Sequence, residues 1–488
     1  MLQTDKRRET GSVFNSLSLA AVLLISAALR FVNLDRTSLW YDEAVSWSQS
    51  NGSFSELLTA VSADNYPPLH NIILWLTMPF LGDSEIALRV PSAILGTIAV
   101  WLTYLVGRSI GSQRLGLLAA ALLCFSPFHI WYSTEARMYA LLATCGLGFL
   151  LSVLNVLKQP SRKWLVLLTI FGALFLYSHI YALLAFAPVG LTCAAYALRD
   201  VIKNRSLTGS PAVAACIAMG ASAIAFFPWL LILAGRARSV AADGFWIAFP
   251  DLNFLKNMAF AISGSLELII LLLGFAAIFL VKLIYETAIR LGSATRSSQN
   301  LAILLAYTFG PLVLAYVYSV LVQPILFDRY LIAAWPGFLL LASAGACSLQ
   351  IRLLPPALVA ASLILSYSEL SFTLTEKIRP EWREIVQDYR EQKMPNDKLV
   401  LYKGFAAPAL EYYLREPSAF KATEKSMQPA ELSLDTESGE RWLLVVHSNA
   451  AETEAATRAV SNKDKPPAAQ RFGWGASGLR LLKGRTDQ

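Results

Sequence analysis

Two adjacent carboxylates, Asp42 and Glu43, follow the first long apolar run of the chain. Neighbouring acids repel each other, so they coexist only where a cation, a set of hydrogen-bond donors or a catalytic task stabilises them. A carboxylate within hydrogen-bond reach of a hydroxyl group can accept its proton while the oxygen attacks an electrophile. We therefore expect Asp42 and Glu43 to be catalytic residues, and a bound divalent cation is the alternative use of the pair.

Further charged residues lie at the ends of other apolar runs, where an ion is costly unless it lines a site or a pathway. They are Arg89, Glu135, Arg137, Asp328 and Arg329. The competing interpretation is that some of them are surface anchors or ion pairs that only fix helix packing. We interpret them as parts of one site on one side of a membrane.

Aromatic residues and histidines accompany these charges. Residues 126–139 hold four aromatic side chains, which alone would be typical of a membrane-interface belt, but His129 and Glu135 are not needed for a belt. A histidine here is a hydrogen-bond donor, a metal ligand or an ordinary packing residue. The residues expected to line a pocket for the substrates are Tyr66, His70, His129, Glu135, Tyr139 and Asp328.

The composition is that of a membrane protein. Of 488 residues, 55% are hydrophobic and 15% are charged, whereas soluble domains carry roughly 25% charged residues. The net charge of +7 comes from basic residues scattered among short loops, so no nucleic-acid partner is expected. All five cysteines lie in apolar runs, which excludes a disulfide framework in the polar carboxy-terminal region.

Apolar runs long enough to cross a bilayer recur up to residue 372, and we predict a mainly α polytopic protein with about eleven transmembrane helices. The runs are 14–31, 89–106, 115–128, 139–157, 164–181, 183–198, 212–233, 266–284, 300–322, 330–349 and 354–372. Lys and Arg are more frequent in the loops on the amino-terminal side, which places that side in the cytoplasm and a large first loop, 32–88, outside.

Residues 373–488 are predicted to form a separate small α/β domain, after a transmembrane domain of residues 1–372. Strand-like runs at 398–402 and 442–446 alternate with helix-like runs at 408–415 and 452–460. An odd number of spans places this domain outside the cytoplasm, on the same side as Asp42 and Glu43.

Several short motifs, in this order and spacing, resemble the GT-C superfamily of membrane glycosyltransferases. The similar branch is the bacterial dolichyl-phosphate-mannose-protein mannosyltransferase-like group, which includes the lipid A aminoarabinose transferases. The motifs are Leu29-Arg30-Phe31, Ser38-Leu39-Trp40-Tyr41-Asp42-Glu43-Ala44, Tyr66-Pro67-Pro68-Leu69, Gly82-Asp83-Ser84-Glu85, Ala87-Leu88-Arg89, Trp131-Tyr132-Ser133, Glu135-Ala136-Arg137-Met138-Tyr139, Asp328-Arg329-Tyr330-Leu331 and Trp382-Arg383-Glu384.

The resemblance implies an inverting transfer of a sugar from a polyprenyl-phosphate donor to an acceptor hydroxyl on the non-cytoplasmic face of the plasma (inner) membrane. It implies that Asp42 is the general base and that Glu43 orients the acceptor or a divalent cation. The donor phosphate is expected to contact Arg137 first, with Arg329 and Arg89 as further candidates. The aminoarabinose branch has a lysine at the position of Tyr66, so its phosphate contact must come from another residue here.

Two other classes of function stay open at this point. A transporter or lipid flippase would also need many spans, although its polar residues would be expected near the middle of the bilayer. A non-catalytic membrane subunit is the third class. If the protein is a transferase, the sugar and the acceptor, which is a glycan, a lipid or a protein, are not indicated by the sequence.

Overall fold

The structure is a computed structural model, and it describes residues 2–32, 34–242, 247–289, 296–376, 379–424, 440–446, 450–460, 468–472 and 479–483. It is mainly helical, as predicted. The helices in chain order are α1 (Leu2–Phe31), α2 (Tyr41–Ser50), α3 (Phe54–Ser62), α4 (Leu69–Leu81), α5 (Glu85–Ile110), α6 (Gln113–Cys124), α7 (Pro127–Ser133), α8 (Tyr139–Lys158), α9 (Arg162–Ser178), α10 (Ala182–Asn204), α11 (Pro211–Ala242), α12 (Leu252–Ser263), α13 (Leu266–Ile289), α14 (Arg296–Leu321), α15 (Ala334–Ser348), α16 (Leu354–Leu365), α17 (Tyr367–Thr375), α18 (Trp382–Gln392), α19 (Ala407–Leu414) and α20 (Ala450–Val460). Short 3-10 helices cover Asp328–Leu331, Gly404–Ala406 and Pro417–Ala419.

Each apolar run predicted to span the membrane coincides with a helix or with a bent pair of helices. Within the described ranges, six helices are long and apolar enough to cross a bilayer, and eight spans result if the pairs α6–α7 and α16–α17 each count as one. The predicted number of eleven is not confirmed, because three of the predicted spans are short helices: the apolar part of α1 (Ser16–Phe31), α9 with 17 residues and α15 with 15 residues.

The chain forms two compact units, which we call the helical unit and the mixed unit. The helical unit comprises Met1–Val32, Ser55–Leu76 and Arg89–Thr375, and the mixed unit comprises Asn33–Phe54, Thr77–Leu88 and Glu376–Gln488. The sequence-based division into 1–372 and 373–488 stays a prediction, because compactness alone does not establish a domain that folds independently.

In the helical unit, α8 has nearly every side chain buried, and it packs against α9 while α9 also packs against α11. The helix α15 is buried along most of its length and lies against α13. A Cβ atom at Gly345 would collide with the backbone of Phe275, so the small residue is what lets α15 approach α13 this closely. These buried helices are preceded in the chain by the loops that hold polar residues of the predicted site.

The mixed unit contains a five-stranded sheet. Its strands are β1 (Lys398–Tyr402), β2 (Phe420–Ala422), β3 (Glu440–Val445), β4 (Ala468–Phe472) and β5 (Leu479–Lys483), in the spatial order β2-β1-β3-β5-β4. The β1 strand is parallel to β2 and β3, whereas β5 is antiparallel to β3 and β4. The predicted strands near 398–402 and 442–446 and helices near 408–415 and 452–460 are confirmed.

Both faces of β1 are buried, because its alternate side chains belong to two different hydrophobic clusters. Leu399 and Leu401 pack with α18 and α19, and Val400 and Tyr402 pack in a cluster that contains Ala456 of α20. The helix α18 supplies its share through Trp382, Ile385, Val386 and Tyr389, which recur at the spacing of one helical face.

Candidate active site

Asp42 and Glu43 lie in the first turn of α2, within the mixed unit. Acidic side chains are favourable there because the first backbone N–H groups of a helix carry a partial positive charge. Glu43 Oε2 also accepts a hydrogen bond of 3.3 Å from the backbone N–H of Trp40, the residue that precedes the helix. The local sequence therefore explains why two carboxylates begin this helix.

Glu43 forms a buried ion pair with Arg379, whose Nη1 atom lies 2.9 Å from Glu43 Oε2. The Glu43 side chain is 0% exposed and that of Arg379 is 10% exposed, whereas Asp42 is half-buried. The guanidinium group neutralises one of the two adjacent carboxylates, which removes the repulsion noted in the sequence. The pair thus divides into a buried, charge-paired Glu43 and a more exposed Asp42.

A divalent cation at Asp42 and Glu43 does not fit this arrangement. The carboxylate of Glu43 already has a cationic partner, and metal ions such as Mg²⁺ and Ca²⁺ prefer several oxygen ligands. Among the residues that the structure describes, no group of three or more His, Cys, Asp or Glu side chains is placed to hold a metal ion.

Asp83 ties α2 to α19 within the mixed unit. Its carboxylate accepts a hydrogen bond of 3.0 Å from the Trp47 indole and pairs with Arg415, and the Tyr412 hydroxyl donates to its carbonyl oxygen over 2.8 Å. Partial burial alone would raise the pKa of Asp83, but the hydrogen bonds from Arg415 and Trp47 hold it below its ordinary value.

Glu85 makes a second set of contacts in the same unit. Its carboxylate accepts a hydrogen bond from the Tyr413 hydroxyl and pairs with Arg383. The Tyr413 hydroxyl in turn accepts from the backbone N–H of Leu39, 2.6 Å away, three residues before Asp42. The residues at 379, 383, 413 and 415 thus position the segment that carries Asp42, and none of them was predicted as a site residue.

The helical unit holds a second group of polar residues, which we call the guanidinium–aromatic cluster: Tyr66, Arg137, Tyr139, His179, Arg329 and Tyr330. The Tyr66 and Tyr330 hydroxyl oxygens are 3.0 Å apart, and the Arg137 guanidinium carbon lies 5.4 Å from the centre of the Tyr66 ring. Burial raises the pKa of Tyr66 well above its ordinary value, so its hydroxyl is a neutral hydrogen-bonding group. Cation–π contact and hydrogen bonding hold Tyr66 in place.

Arg329 contacts two other rings of the same cluster. Its guanidinium carbon is 5.8 Å from the Tyr139 ring centre and 5.4 Å from that of Tyr330. Asp328 and Glu135 are nearby, since both act electrostatically on Tyr132, whose ring is 4.9 Å from that of Tyr139. Burial raises the pKa of Asp328, although the Arg329 backbone N–H and charge oppose the shift. Two arginines, two acids and several tyrosines are therefore grouped.

His179 lies among the rings of this cluster, and it was not among the residues predicted from the sequence. Its ring centre is 5.1 Å from that of Tyr66, 5.0 Å from that of Tyr330 and 6.5 Å from that of Tyr139. The residue directly follows α9, at the end of an apolar run. That position was the available signal, because polar residues at the ends of the other runs were considered as site residues.

His129 has a different environment. Its Nδ1 atom is 2.8 Å from Nη2 of the fully buried Arg30, which also approaches the carbonyl oxygens of Leu123 and Cys124 at 3.4 Å. These carbonyl groups are at the end of α6, where the chain bends by 67° into α7. Arg30 and His129 therefore stabilise the break between two helices, and the contacts of His129 do not bring it into the guanidinium–aromatic cluster.

Two further predicted residues, Arg89 and His70, are buried on α5 and α4. One turn beyond Arg89, the Ser92 hydroxyl donates a 3.3 Å hydrogen bond to the Arg137 carbonyl oxygen, so α5 supports the backbone of the cluster. Among the expected site residues, Tyr66, Arg137, Tyr139 and Arg329 are joined through ring and cation–π contacts.

Comparison with known proteins finds a family model that matches part of the chain. Residues 65–232, about a third of the chain, match the family model of the dolichyl-phosphate-mannose-protein mannosyltransferases. No curated protein matches the sequence.

Solved structures match over most of the chain. ArnT from Cupriavidus metallidurans in the apo state is 11% identical with a TM-score of 0.62, and 98% of each chain is covered. The same protein bound to undecaprenyl phosphate is 14% identical with a TM-score of 0.61, covering 98% of this chain and 99% of that one. The archaeal oligosaccharyltransferase AglB from Archaeoglobus fulgidus, in complex with an inhibitory peptide and a dolichol-phosphate, is 12% identical with a TM-score of 0.55, covering 90% of this chain and 70% of that one.

The apolar helices and these likenesses make the chain a multi-pass membrane protein. Its fold is that of the GT-C glycosyltransferases, and the predicted resemblance to the dolichyl-phosphate-mannose-protein mannosyltransferases and their ArnT-like relatives is confirmed.

Proposed function

We propose that the protein is a membrane glycosyltransferase that transfers a sugar from a polyprenyl-phosphate donor to an acceptor hydroxyl. The observation that carries the proposal is that Tyr66, Arg137, Tyr139 and His179 all lie inside the segment 65–232, which matches a family of lipid-phosphate-dependent mannosyltransferases. The donor class is also supported by the fold, since ArnT was solved with undecaprenyl phosphate and AglB with a dolichol-phosphate.

Arg137 and Arg329 are the proposed ligands of the donor phosphate. Guanidinium groups form strong, charge-assisted hydrogen bonds with phosphate oxygens, and they stabilise the negative charge that develops on the leaving phosphate. Both are held against tyrosine rings, which fixes their position before the donor binds. Two arginines can therefore supply the charge that the aminoarabinose branch obtains from the lysine at the position of Tyr66.

Asp42 is the proposed general base. The acceptor oxygen attacks the anomeric carbon, a new C–O bond forms, and the bond from that carbon to the phosphate oxygen breaks. The acceptor proton passes to the Asp42 carboxylate, and polyprenyl phosphate leaves. A single displacement of this kind inverts the anomeric centre. Glu43, which is paired with Arg379, is proposed to hold the α2 segment and not to touch the substrates.

The orientation is part of the proposal. The distribution of Lys and Arg among the loops supports a cytoplasmic amino terminus, so that the loop with Asp42 and the carboxy-terminal region face the periplasmic or extracellular side of the plasma (inner) membrane. The lipid-linked donor and the acceptor would then meet on that side.

The test is release of polyprenyl phosphate from a labelled polyprenyl-phosphate sugar by the purified protein in lipid nanodiscs, with a crude envelope extract as the source of acceptors. The wild type should release it only when acceptors are added. Arg137→Gln should slow release at least about a hundredfold, as removal of a charge-stabilising donor does in other enzymes. The matched control is Arg352→Gln, at an exposed position, which should be unaffected.

A protein that releases no polyprenyl phosphate from any donor, yet moves labelled lipid across the bilayer, would be a flippase, and the proposal would be wrong.

A further inference from the structure

The ring of His179 has a defined tautomer. The backbone N–H of Tyr181 donates a hydrogen bond to His179 Nδ1 over 3.0 Å, so Nδ1 carries no proton. The imidazole is therefore neutral, and its single N–H group is at Nε2.

That N–H group is buried without an acceptor. The His179 side chain is 0% exposed, and in the described part of the chain its Nε2 atom has no hydrogen-bond partner. Most buried donors in proteins are paired, because an unpaired one has lost its bond to water without compensation. An unpaired buried donor therefore needs an explanation, and one explanation is that the donor binds a ligand.

The surroundings of His179 favour an anion as that ligand. The ring lies among Tyr66, Tyr181 and Tyr330, at centre-to-centre distances of 5.0–5.6 Å. Two cations contact these rings, since Arg137 lies over Tyr66 and Arg329 lies over Tyr330. Both guanidinium charges act electrostatically on the imidazole. A neutral N–H donor close to two positive charges matches a phosphate group, which accepts hydrogen bonds and carries negative charge.

We propose that the Nε2–H group of His179 donates a hydrogen bond to the phosphate of the polyprenyl-phosphate donor. The proposal rests on the proposed function and adds a residue to its binding site. In this role the Tyr181 backbone fixes the tautomer, so that the ring presents a proton to the phosphate and not a lone pair.

Two variants that differ by one methylene group test the proposal. In His179→Asn the side-chain oxygen can still accept from the Tyr181 N–H, but no donor reaches the position of Nε2. In His179→Gln the amide nitrogen can occupy that position. Affinity for undecaprenyl phosphate is measured by native mass spectrometry of the intact protein in nanodiscs, with undecaprenol, which lacks the phosphate, as the matched probe.

We expect Asn to weaken binding of undecaprenyl phosphate about tenfold or more and Gln to stay within about threefold of wild type, because a hydrogen bond to a charged group is lost only in the former. Binding of undecaprenol should be equal in all three proteins. Equal affinity of the Asn variant and the wild type for the phosphate would overturn the proposal, as would equal weakening by Asn and Gln. If the wild type itself prefers undecaprenyl phosphate no more than undecaprenol, the proposed donor class is wrong as well.

Discussion

The ion pair between Glu43 and Arg379 leads to a prediction that separates a structural acid from a catalytic one. Glu43→Gln keeps the size of the side chain and an acceptor for the Trp40 N–H, but it removes the carboxylate charge that lies 2.9 Å from the guanidinium group of Arg379. Removing one member of a buried ion pair typically costs about 3–5 kcal/mol. Because Arg379 is 10% exposed, and can regain some hydration, we expect the lower end, about 3 kcal/mol.

Hydrogen–deuterium exchange of the backbone amides in Tyr41–Ser50 measures this loss locally. If exchange proceeds through opening of the α2 segment, 3 kcal/mol corresponds to roughly 150-fold faster exchange. The double variant Glu43→Gln, Arg379→Met should recover most of the protection, since both charges of the pair are then removed.

Asp42→Asn is the matched control, because it neutralises the adjacent carboxylate on the same helical turn. It should change exchange by only a few-fold, the size of a helix-terminus charge effect. Unchanged exchange in Glu43→Gln would refute the structural role of Glu43, and would restore it as a candidate for direct contact with the substrates.

Three further predictions concern other contacts. Hydrogen bonds lower the pKa of Asp83 in the folded protein, so its contact with Arg415 stabilises the folded state. This stabilisation is complete at pH values above the ordinary carboxyl pKa of about 4 and is lost as the pH falls through the lower pKa of the folded protein. Thermal unfolding followed from pH 7 to 3 should therefore be less pH-dependent in Asp83→Asn. Arg30→Met should lower the unfolding midpoint, since the buried hydrogen bonds from the guanidinium group to His129 and to two backbone carbonyls are lost, and hydrogen bonds to a charged group contribute about 1.5–3 kcal/mol. Tyr66→Phe should retain the ring contacts but lose the hydroxyl contact, and should raise the KM for the lipid donor more than it lowers kcat.

Each of these has a result that would contradict it. If the unfolding of Asp83→Asn had the same pH dependence as that of the wild type, the Asp83 carboxylate would not contribute to the pH dependence of stability. Full stability of Arg30→Met would mean that the bend between α6 and α7 does not depend on the buried guanidinium group. A pure loss of kcat in Tyr66→Phe would place Tyr66 at the reacting atoms and not in donor binding.

Local sequence patterns predicted the parts of this fold that depend on local physics. The apolar runs form helices and the strand-like run at 398–402 forms β1, as predicted, because the spacing of hydrophobic residues follows which side of an element is buried. Tyr66 and Arg137 were also predicted for one site, and they are in contact. Their grouping could be predicted because charged residues at the ends of apolar runs are costly unless they line a site or a pathway.

Contacts between distant parts of the chain could not be predicted in this way. Glu43 and Arg379 are 336 positions apart, and no local pattern indicates that they meet. His129 was expected in the pocket, but its partner is Arg30. Arg30 belonged to one of the motifs, and nothing in the sequence indicated that it would be a buried cation. His179 was overlooked because its importance comes from the rings around it, and those come from four separate segments of the chain.

The most direct test of the central claim is the transfer rate of Asp42→Asn in nanodiscs, with Asp35→Asn, an exposed acid nearby in the sequence, as control. If Asp42 is the general base, transfer from the lipid-linked donor should fall about 10²–10⁴-fold, while affinity for undecaprenyl phosphate and amide exchange in α2 stay close to wild type. Transfer at the wild-type rate by a folded Asp42→Asn protein would contradict the mechanism.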